Sequence, residues 1–272
     1  MIKDKMHKDC TLIISTYNWK EALHLTLSSV LHQTVLPNEV IIADDGSARD
    51  TRFFINDFIK DFPIPLIHIW HEDIGFRLAS IRNKSIARAS NKYIIQIDGD
   101  VILHKNFIED HLLAARPGYL LQGSRVMLGK SISHSILSGK KKHISPFDAN
   151  IGRRENGFRI KLLSNFLLNR YRNKYPFYYA RGANMSFWKQ DIIDINGYNE
   201  NFEGWGHEDS DLTLRLMNNG VKKSIIKFAA IVYHIFHPEN RNDLQENKNR
   251  IILEKTLNSK TVWTSIGIDQ YL

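Results

Sequence analysis

Tyr93-Ile94-Ile95-Gln96-Ile97-Asp98-Gly99-Asp100 decides how this chain folds. A mostly apolar run without polar alternation leads into a turn that carries two carboxylates. A strand written this way is buried on both faces, as strands of parallel sheets are. The same form recurs upstream. Thr11-Leu12-Ile13-Ile14-Ser15 runs into Thr16-Tyr17-Asn18, Val40-Ile41-Ile42-Ala43 runs into Asp44-Asp45-Gly46-Ser47, and residues 66 to 70 form a further run. Between these runs apolar residues fall at helical spacing: Ala22, Leu23, Leu27, Val30 and Leu31, then Phe53, Phe54, Phe58 and Ile59, then Ile81, Ile86 and Ala89. The alternation predicts an α/β fold with a Rossmann-like, mostly parallel sheet flanked by helices. Ligands of such sheets bind at the carboxyl ends of the strands. The polar turns after the first, second and fourth strands stand there together.

Downstream, the pattern predicts a helix over 107–115, a return to the sheet over 118–127, and a polar, basic insertion over 129–176. The insertion is expected to carry a variable or mobile loop and one helix near 160–168. Mixed strand and turn follow over 178–188, then a helix over 208–219 stopped by Gly220. A last strand is expected over 224–232 and a terminal helix over 243–257. The 272 residues are 43% hydrophobic and 24% charged, the mix of a globular protein with a sizeable core. A formal charge of +8 favours phosphates in general. There is no arginine-rich arm, so nucleic acid is not the expected partner; Lys140-Lys141-Lys142 is the only run of three basic residues. One cysteine, Cys10, precludes an intrachain disulfide and fits a reducing compartment. The first nine residues lack the apolar core of a signal peptide, and no apolar stretch reaches the roughly 18 residues needed to span a bilayer. The expectation is a cytoplasmic protein with at most peripheral contact at the inner membrane face.

Asp98 and Asp100, one residue apart on a turn, suit a hard divalent cation. Such an ion helps a diphosphate depart by neutralising the charge that develops. Asp-Gly is also a common turn dipeptide, so the motif draws its meaning from its place after a buried strand. Asp45 can accept hydrogen bonds from a uracil or a ribose. Arg82, rather than Arg77, is the candidate to reach a diphosphate or the aspartate pair. In Gly204-Trp205-Gly206-His207-Glu208-Asp209 the glycines allow close backbone approach. Trp205 offers a flat apolar face for a sugar ring, and Asp209 can take a proton from an acceptor hydroxyl. Acidic residues here also stabilise the dipole of the helix they begin, which alone would explain Glu208, Asp209 and Asp211. His234 and His237 follow the last strand, where an imidazole can complete a metal site begun by Asp100.

The segments Thr11–Asn18, Ile42–Ser47 and Ile97–Asp100 resemble the N-terminal signature of family 2 glycosyltransferases of the GT-A fold. Gly204–Asp209 resembles the C-terminal motif of β-1,4-galactosyltransferases and bacterial chondroitin-type polymerases. The resemblance implies an inverting transfer from a UDP-sugar with Mn²⁺ or Mg²⁺ to a saccharide or lipid-linked saccharide acceptor. It implies a nucleotide-sugar-binding half (1–105), an acceptor-binding and catalytic half (106–240), and a C-terminal helix and tail (241–272). By it, Asp45 binds uridine, Asp98 touches ribose or metal, and Asp100 binds the metal. His237 matches the metal histidine, and His234 falls where galactosyltransferases use methionine. Asp209 takes the place of the base, with Glu208 and Trp205 shaping the sites. Thr16, Tyr17, Asn18, Arg82, Gly99 and Asn184 belong to the donor-binding set. His207 departs from the galactosyltransferase motif, which has glycine there. Two rivals remain: a nucleotidylyltransferase, though Thr16-Tyr17-Asn18 stands where its glycine-rich loop would be, and a non-catalytic sugar-binding protein on the same scaffold.

Overall fold

The computed structural model describes residues 9–173, 178–238 and 242–272. Strands β1 (Thr11–Thr16), β2 (Glu39–Asp44) and β3 (Leu66–Trp70) alternate with helices α1 (Lys20–Leu31), α2 (Arg49–Lys60) and α3 (Leu78–Arg88), and β4 (Tyr93–Asp98) follows. Then come β5 (Val101–Leu103), α4 (Phe107–Ala114), β6 (Tyr119–Gln122), β7 (Ser124–Leu128), α5 (Lys130–Leu137), β8 (Ile151–Gly152) and α6 (Lys161–Arg170). The rest is β9 (Asn184–Trp188), α7 (Lys189–Ile193), α8 (Glu208–Asn218), β10 (Lys222–Ile225), β11 (Ile231–His234) and α9 (Asp243–Ser259).

Seven strands form the main sheet in the order β10-β6-β9-β4-β1-β2-β3. Its pairings are parallel except at β9, which runs antiparallel to β4 and β6. Strand parity explains why both faces are covered. Leu12 and Ile14 of β1 join Leu23 and Leu27 of α1, Ile55 of α2 and Phe107 of α4 in one core. Ile13, pointing the other way, joins Ala79 and Ile81 of α3 and Leu212 and Leu216 of α8 in another. Each fully buried Ile or Leu contributes roughly 1.5–3 kcal/mol, so the continuous apolar runs stabilise the sheet from both sides.

The second half departs from the expected layout in three places. The run over 118–127 is two strands in two sheets, divided at Gly123. A Cβ there would lie 2.3 Å from Asn184 Oδ1 and 2.6 Å from the Ala230 carbonyl. The stretch over 224–232 is likewise two strands. β10 joins the main sheet, and β11 joins a second sheet of order β5-β11-β7-β8. The chain turns between them through left-handed Phe228 (φ 58°) and Ala230 (φ 49°), residue types that give no turn signal. The insertion is folded rather than a loop with one helix: α5 packs Ile132 and Ile136 against Ala22 of α1, and β8 pairs with β7. Its expected end at Pro176 lies outside the described residues. Among the described residues no helix is long and apolar enough to cross a membrane.

Candidate active site

The carboxyl ends of β1, β2 and β4 stand at one height. Ser15 lies beside Asp98 and Thr16 beside Asp44, Gly99 N donates to the Ser15 carbonyl (2.6 Å), and Asp45 N to that of Thr16 (3.0 Å). A cleft of about 1240 Å³ opens over these ends, at the point where the strand order reverses. Thr16, Tyr17, Asp45, Asp98, Gly99 and Asp100 line it. Asp45 is held by the Arg77 backbone N–H (3.0 Å) and by His71 Nε2 (2.7 Å). Lys84 Nζ approaches His71 Nδ1 at 3.1 Å. An ammonium only donates, so Nδ1 accepts and Nε2 carries the proton given to Asp45. His71 was not singled out in the sequence. Asn18 differs from its expected role: at φ 47° its Oδ1 accepts from Ala48 N and its N donates to Ser47 Oγ. It ties the first two turns together and does not line the cleft.

Arg82 of α3 is the hub. Buried to 1% exposure, it donates from Nη2 to Asp98 (3.1 Å) and from Nη1 to Asp209 (2.9 Å) and Glu208 (3.5 Å), over the Tyr198 ring. Burial works against the guanidinium's charge, but Asp209, Asp98 and Glu208 outweigh it and hold the proton more firmly than usual. Arg77 instead turns its guanidinium to the Glu72 carbonyl (2.7 Å). Asp209 also accepts from Gly182 N (2.6 Å) and lies 3.3 Å from the Tyr198 hydroxyl, which Gln96 Nε2 holds at 2.9 Å. Burial, and then the charge of Asp209, push Glu208 up to about 7. Both carboxylates sit in the first turn of α8, entered through left-handed Gly204 (φ 68°), Gly206 (φ 110°) and His207 (φ 74°). This turn of backbone carries Trp205 to the cleft, with 43% of its surface exposed.

Asp100, His234 and His237 meet on the other side of the β4 turn, each offering a ligand atom within 4.8 Å of the others. Asp100 Oδ2 lies 3.3 Å from His234 Nε2 and 3.0 Å from His237 Nε2. The second sheet makes this meeting: β11 runs antiparallel to β5, placing His234 opposite Val101, and Ile235 N donates to the Asp100 carbonyl (2.9 Å). Asp100 Oδ1 is buried with no hydrogen-bond partner among the described residues, so one ligand-grade oxygen is left over. One carboxylate and two imidazoles fit a manganese- or zinc-class ion better than an all-oxygen magnesium site. The hydrogen bond to Asp100 raises His237 to about 9, so an ion binding there would displace its proton. Asp100 itself is held below the usual carboxylate range: burial opposes ionisation, but His237 and His234 outweigh it. Asp98 is bound to Arg82 and is not part of the three-residue cluster.

Asn184 does not line the cleft. Its amide donates to the carbonyls of Ser124 (3.0 Å) and Ala230 (2.9 Å), and its Oδ1 meets His111 Nε2 at 2.9 Å. Burial pushes His111 down to about 4, so the neutral ring donates to that oxygen. Asn184 thus pins the junction between the two sheets. From the same segment it is Gly182 that faces Arg82 and Asp209: a Cβ there would lie 2.4 Å from Arg82 Nη2 and 2.7 Å from Asp209 Oδ1. Arg125 and Arg181 add positive charge to the cleft wall. Arg125 was not legible because β7 does not announce itself as a separate strand.

The mostly parallel sheet carries its carboxylate-rich cleft at the switch point of the strand order, where ligands of such sheets bind. The chain belongs to glycosyl transferase family 2, whose sequence profile matches residues 11–174. A profile described as the N-terminal domain of galactosyltransferase matches residues 164–238. The chain is 25% identical over 266 residues to a chondroitin synthase of Escherichia coli, covering 88% of this chain and 37% of that protein. It is 26% identical over 257 residues to a validoxylamine A glucosyltransferase of Streptomyces hygroscopicus subsp. limoneus, covering 89% of this chain and 56% of that one. The chain therefore spans from about a third to somewhat over half of these relatives' lengths. Its fold is similar to that of GalNAc-T7, crystallised with UDP, GalNAc and Mn²⁺ (TM-score 0.66, 13% identity, 93% of this chain and 48% of that one). It is also similar to Staphylococcus aureus TarS residues 1–349 (TM-score 0.61, 14% identity, 97% of this chain and 68% of that one).

Proposed function

We propose that the chain is an inverting hexosyltransferase that moves a hexose or N-acetylhexosamine from a UDP-sugar to a saccharide or lipid-linked saccharide acceptor. The setting would be surface polysaccharide or lipopolysaccharide synthesis on the cytoplasmic side of a membrane. The observation that carries this is Arg82, whose single guanidinium joins Asp98 of the β4 turn to Glu208 and Asp209 of α8 in one cleft. The chondroitin synthase among the relatives supports the acceptor class.

Of the Mn²⁺ or Mg²⁺ expected, Asp100, His234 and His237 would hold Mn²⁺ in preference, which when bound supplies positive charge against the departing diphosphate. Asp45 would accept from the uridine, and Trp205 would lie against the sugar. The acceptor oxygen attacks the anomeric carbon opposite the breaking bond to UDP, through an oxocarbenium-like state. Asp209 takes the hydroxyl proton, oriented for this by Gly182 N and Arg82. The leaving UDP carries away the electron pair, and the anomeric configuration inverts.

Asp209→Asn is expected to lower kcat by at least about 10²–10⁴-fold, the usual worth of a positioned base. UDP affinity, read by calorimetry, stays unchanged. A near-normal rate would remove Asp209 from this role. A product retaining the donor's α configuration would reject the single displacement, and release of pyrophosphate rather than UDP would favour a nucleotidylyltransferase.

A further inference from the structure

The formal charge of the whole chain is +8. Residues 129–173 contain ten Lys and Arg against two acidic residues, so this segment alone has an excess of eight and the remainder of the chain is balanced. Three of the ten meet carboxylates: Lys141 pairs with Asp148, Arg159 with Asp110, and Lys161 lies 3.7 Å from Glu109; Arg172 bonds the Tyr119 hydroxyl. Lys130, Lys140, Lys142, Arg153, Arg154 and Arg170 are exposed with no acidic partner among the described residues.

The same segment exposes large apolar side chains. On α6, Ser164 and Leu168 face inward, while Leu162 is 86% and Phe166 63% exposed. Arg170 lies over the Phe166 ring, one turn along the same face. Phe147, 78% exposed, packs its ring edge-on against Phe158. A polyanionic chain in solution would require the charge but not these apolar groups. A bilayer with anionic headgroups requires both. The segment also adjoins the cleft: Gly152 pairs with Met127, and Asn156 donates to the Arg125 carbonyl (2.9 Å), both partners being on the cleft wall. The terminal helix α9, by contrast, has three acidic and three basic residues and no excess charge.

We infer that the folded segment 129–173 is a docking surface for an anionic lipid bilayer, with Leu162 and Phe166 entering the headgroup layer and the unpaired basic residues meeting lipid phosphates. The surface does not depend on which sugar or metal the cleft uses.

The test is sedimentation of the full chain with vesicles of phosphatidylcholine alone, or with about a third phosphatidylglycerol to supply the anionic surface. Binding is expected only to the anionic vesicles, weakened but not abolished by high salt. Each basic residue near an anionic leaflet strengthens partitioning about five-fold, so Lys140→Glu, Lys142→Glu and Arg170→Glu together should weaken it by roughly a hundred-fold or more. Leu162→Ser with Phe166→Ser should cost about a hundred-fold and remove the salt-resistant part. Both variants should keep the parent melting temperature. Undiminished vesicle binding by both variants would overturn the inference. So would retention on soluble dextran sulfate without vesicle binding, or a dimer by light scattering that the apolar variant disperses while vesicles are ignored.

Discussion

At the scale of single residues, the cleft rests on contacts that allow no added atom. Gly182 brings its backbone N–H within 2.6 Å of Asp209 and leaves no room for a Cβ beside Arg82. Gly182→Ala should displace Asp209, the proposed base, by a fraction of an ångström to an ångström and lower kcat about 10²-fold. Circular dichroism should be unchanged; a rate within two-fold of the parent would show that the site tolerates the shift. Glu208 gives a pH prediction. Its pKa is raised to about 7 in the folded protein from an ordinary 4.5. Between these values the unfolded chain has lost the proton while the folded chain still binds it, so stability falls as pH rises through that window. The melting temperature of the parent relative to Glu208→Gln should therefore decline from about pH 4.5 to 7 and level off above it, as read by thermal melts across the range. A constant difference would show that Glu208 is already ionised in the fold. Arg82 and Asp98 were legible as candidates in the sequence. His71 and the Gly182 contact were not, since a lone histidine after a strand and a glycine in a loop become informative only once their neighbours are known.

At the scale of elements, α8 and α9 hold the turn from Gly204 to Asp209. Asn249 of α9 donates to the carbonyls of Glu203 and Gly206, fixing the left-handed entry into α8 from behind. Within α8, Arg215 pairs with Asp211 (2.7 Å) and donates to the carbonyls of Ile195 and Gly197, while Thr256 of α9 donates to Asp211 (2.7 Å). All of this is buried. Arg215→Met would leave the Asp211 carboxylate without its charge partner, and breaking such a buried pair costs about 3–5 kcal/mol. Urea unfolding should show that loss; a change under about 1 kcal/mol would mean that Thr256 and relaxation satisfy Asp211 alone. The helix expected over 208–219 was legible from its stop at Gly220, and it forms over Glu208–Asn218. The split of 224–232 between two sheets was not, because left-handed Phe228 and Ala230 turn the chain without glycine or proline.

At the scale of the whole molecule, two sheets divide the work. The main sheet brings Asp45 and Asp98 to one edge of the cleft, and the small sheet carries His234 and His237 to Asp100. A UDP-sugar with Mn²⁺ should therefore raise the melting temperature more than the UDP-sugar alone. At about a hundred times Kd the gain is about 2.7 kcal/mol, or roughly 5 °C for a chain of this size. His237→Ala should erase the manganese increment while keeping the metal-free one; an unchanged increment would place the ion elsewhere. The sequence by itself determined the parallel core, because uninterrupted apolar strands joined by amphipathic helices are stable only when both faces of a sheet are covered. It also determined that polar turns gather at the strand ends. Only the tertiary structure decided which of their side chains share a site. The pairing of β5 with β11 and the reach of Arg82 from Asp98 to Asp209 join residues more than a hundred positions apart, and the inward turn of Asn184 joins it to Ala230, 46 positions on. Such contacts are set by sheet register and close packing rather than by any local pattern in the chain.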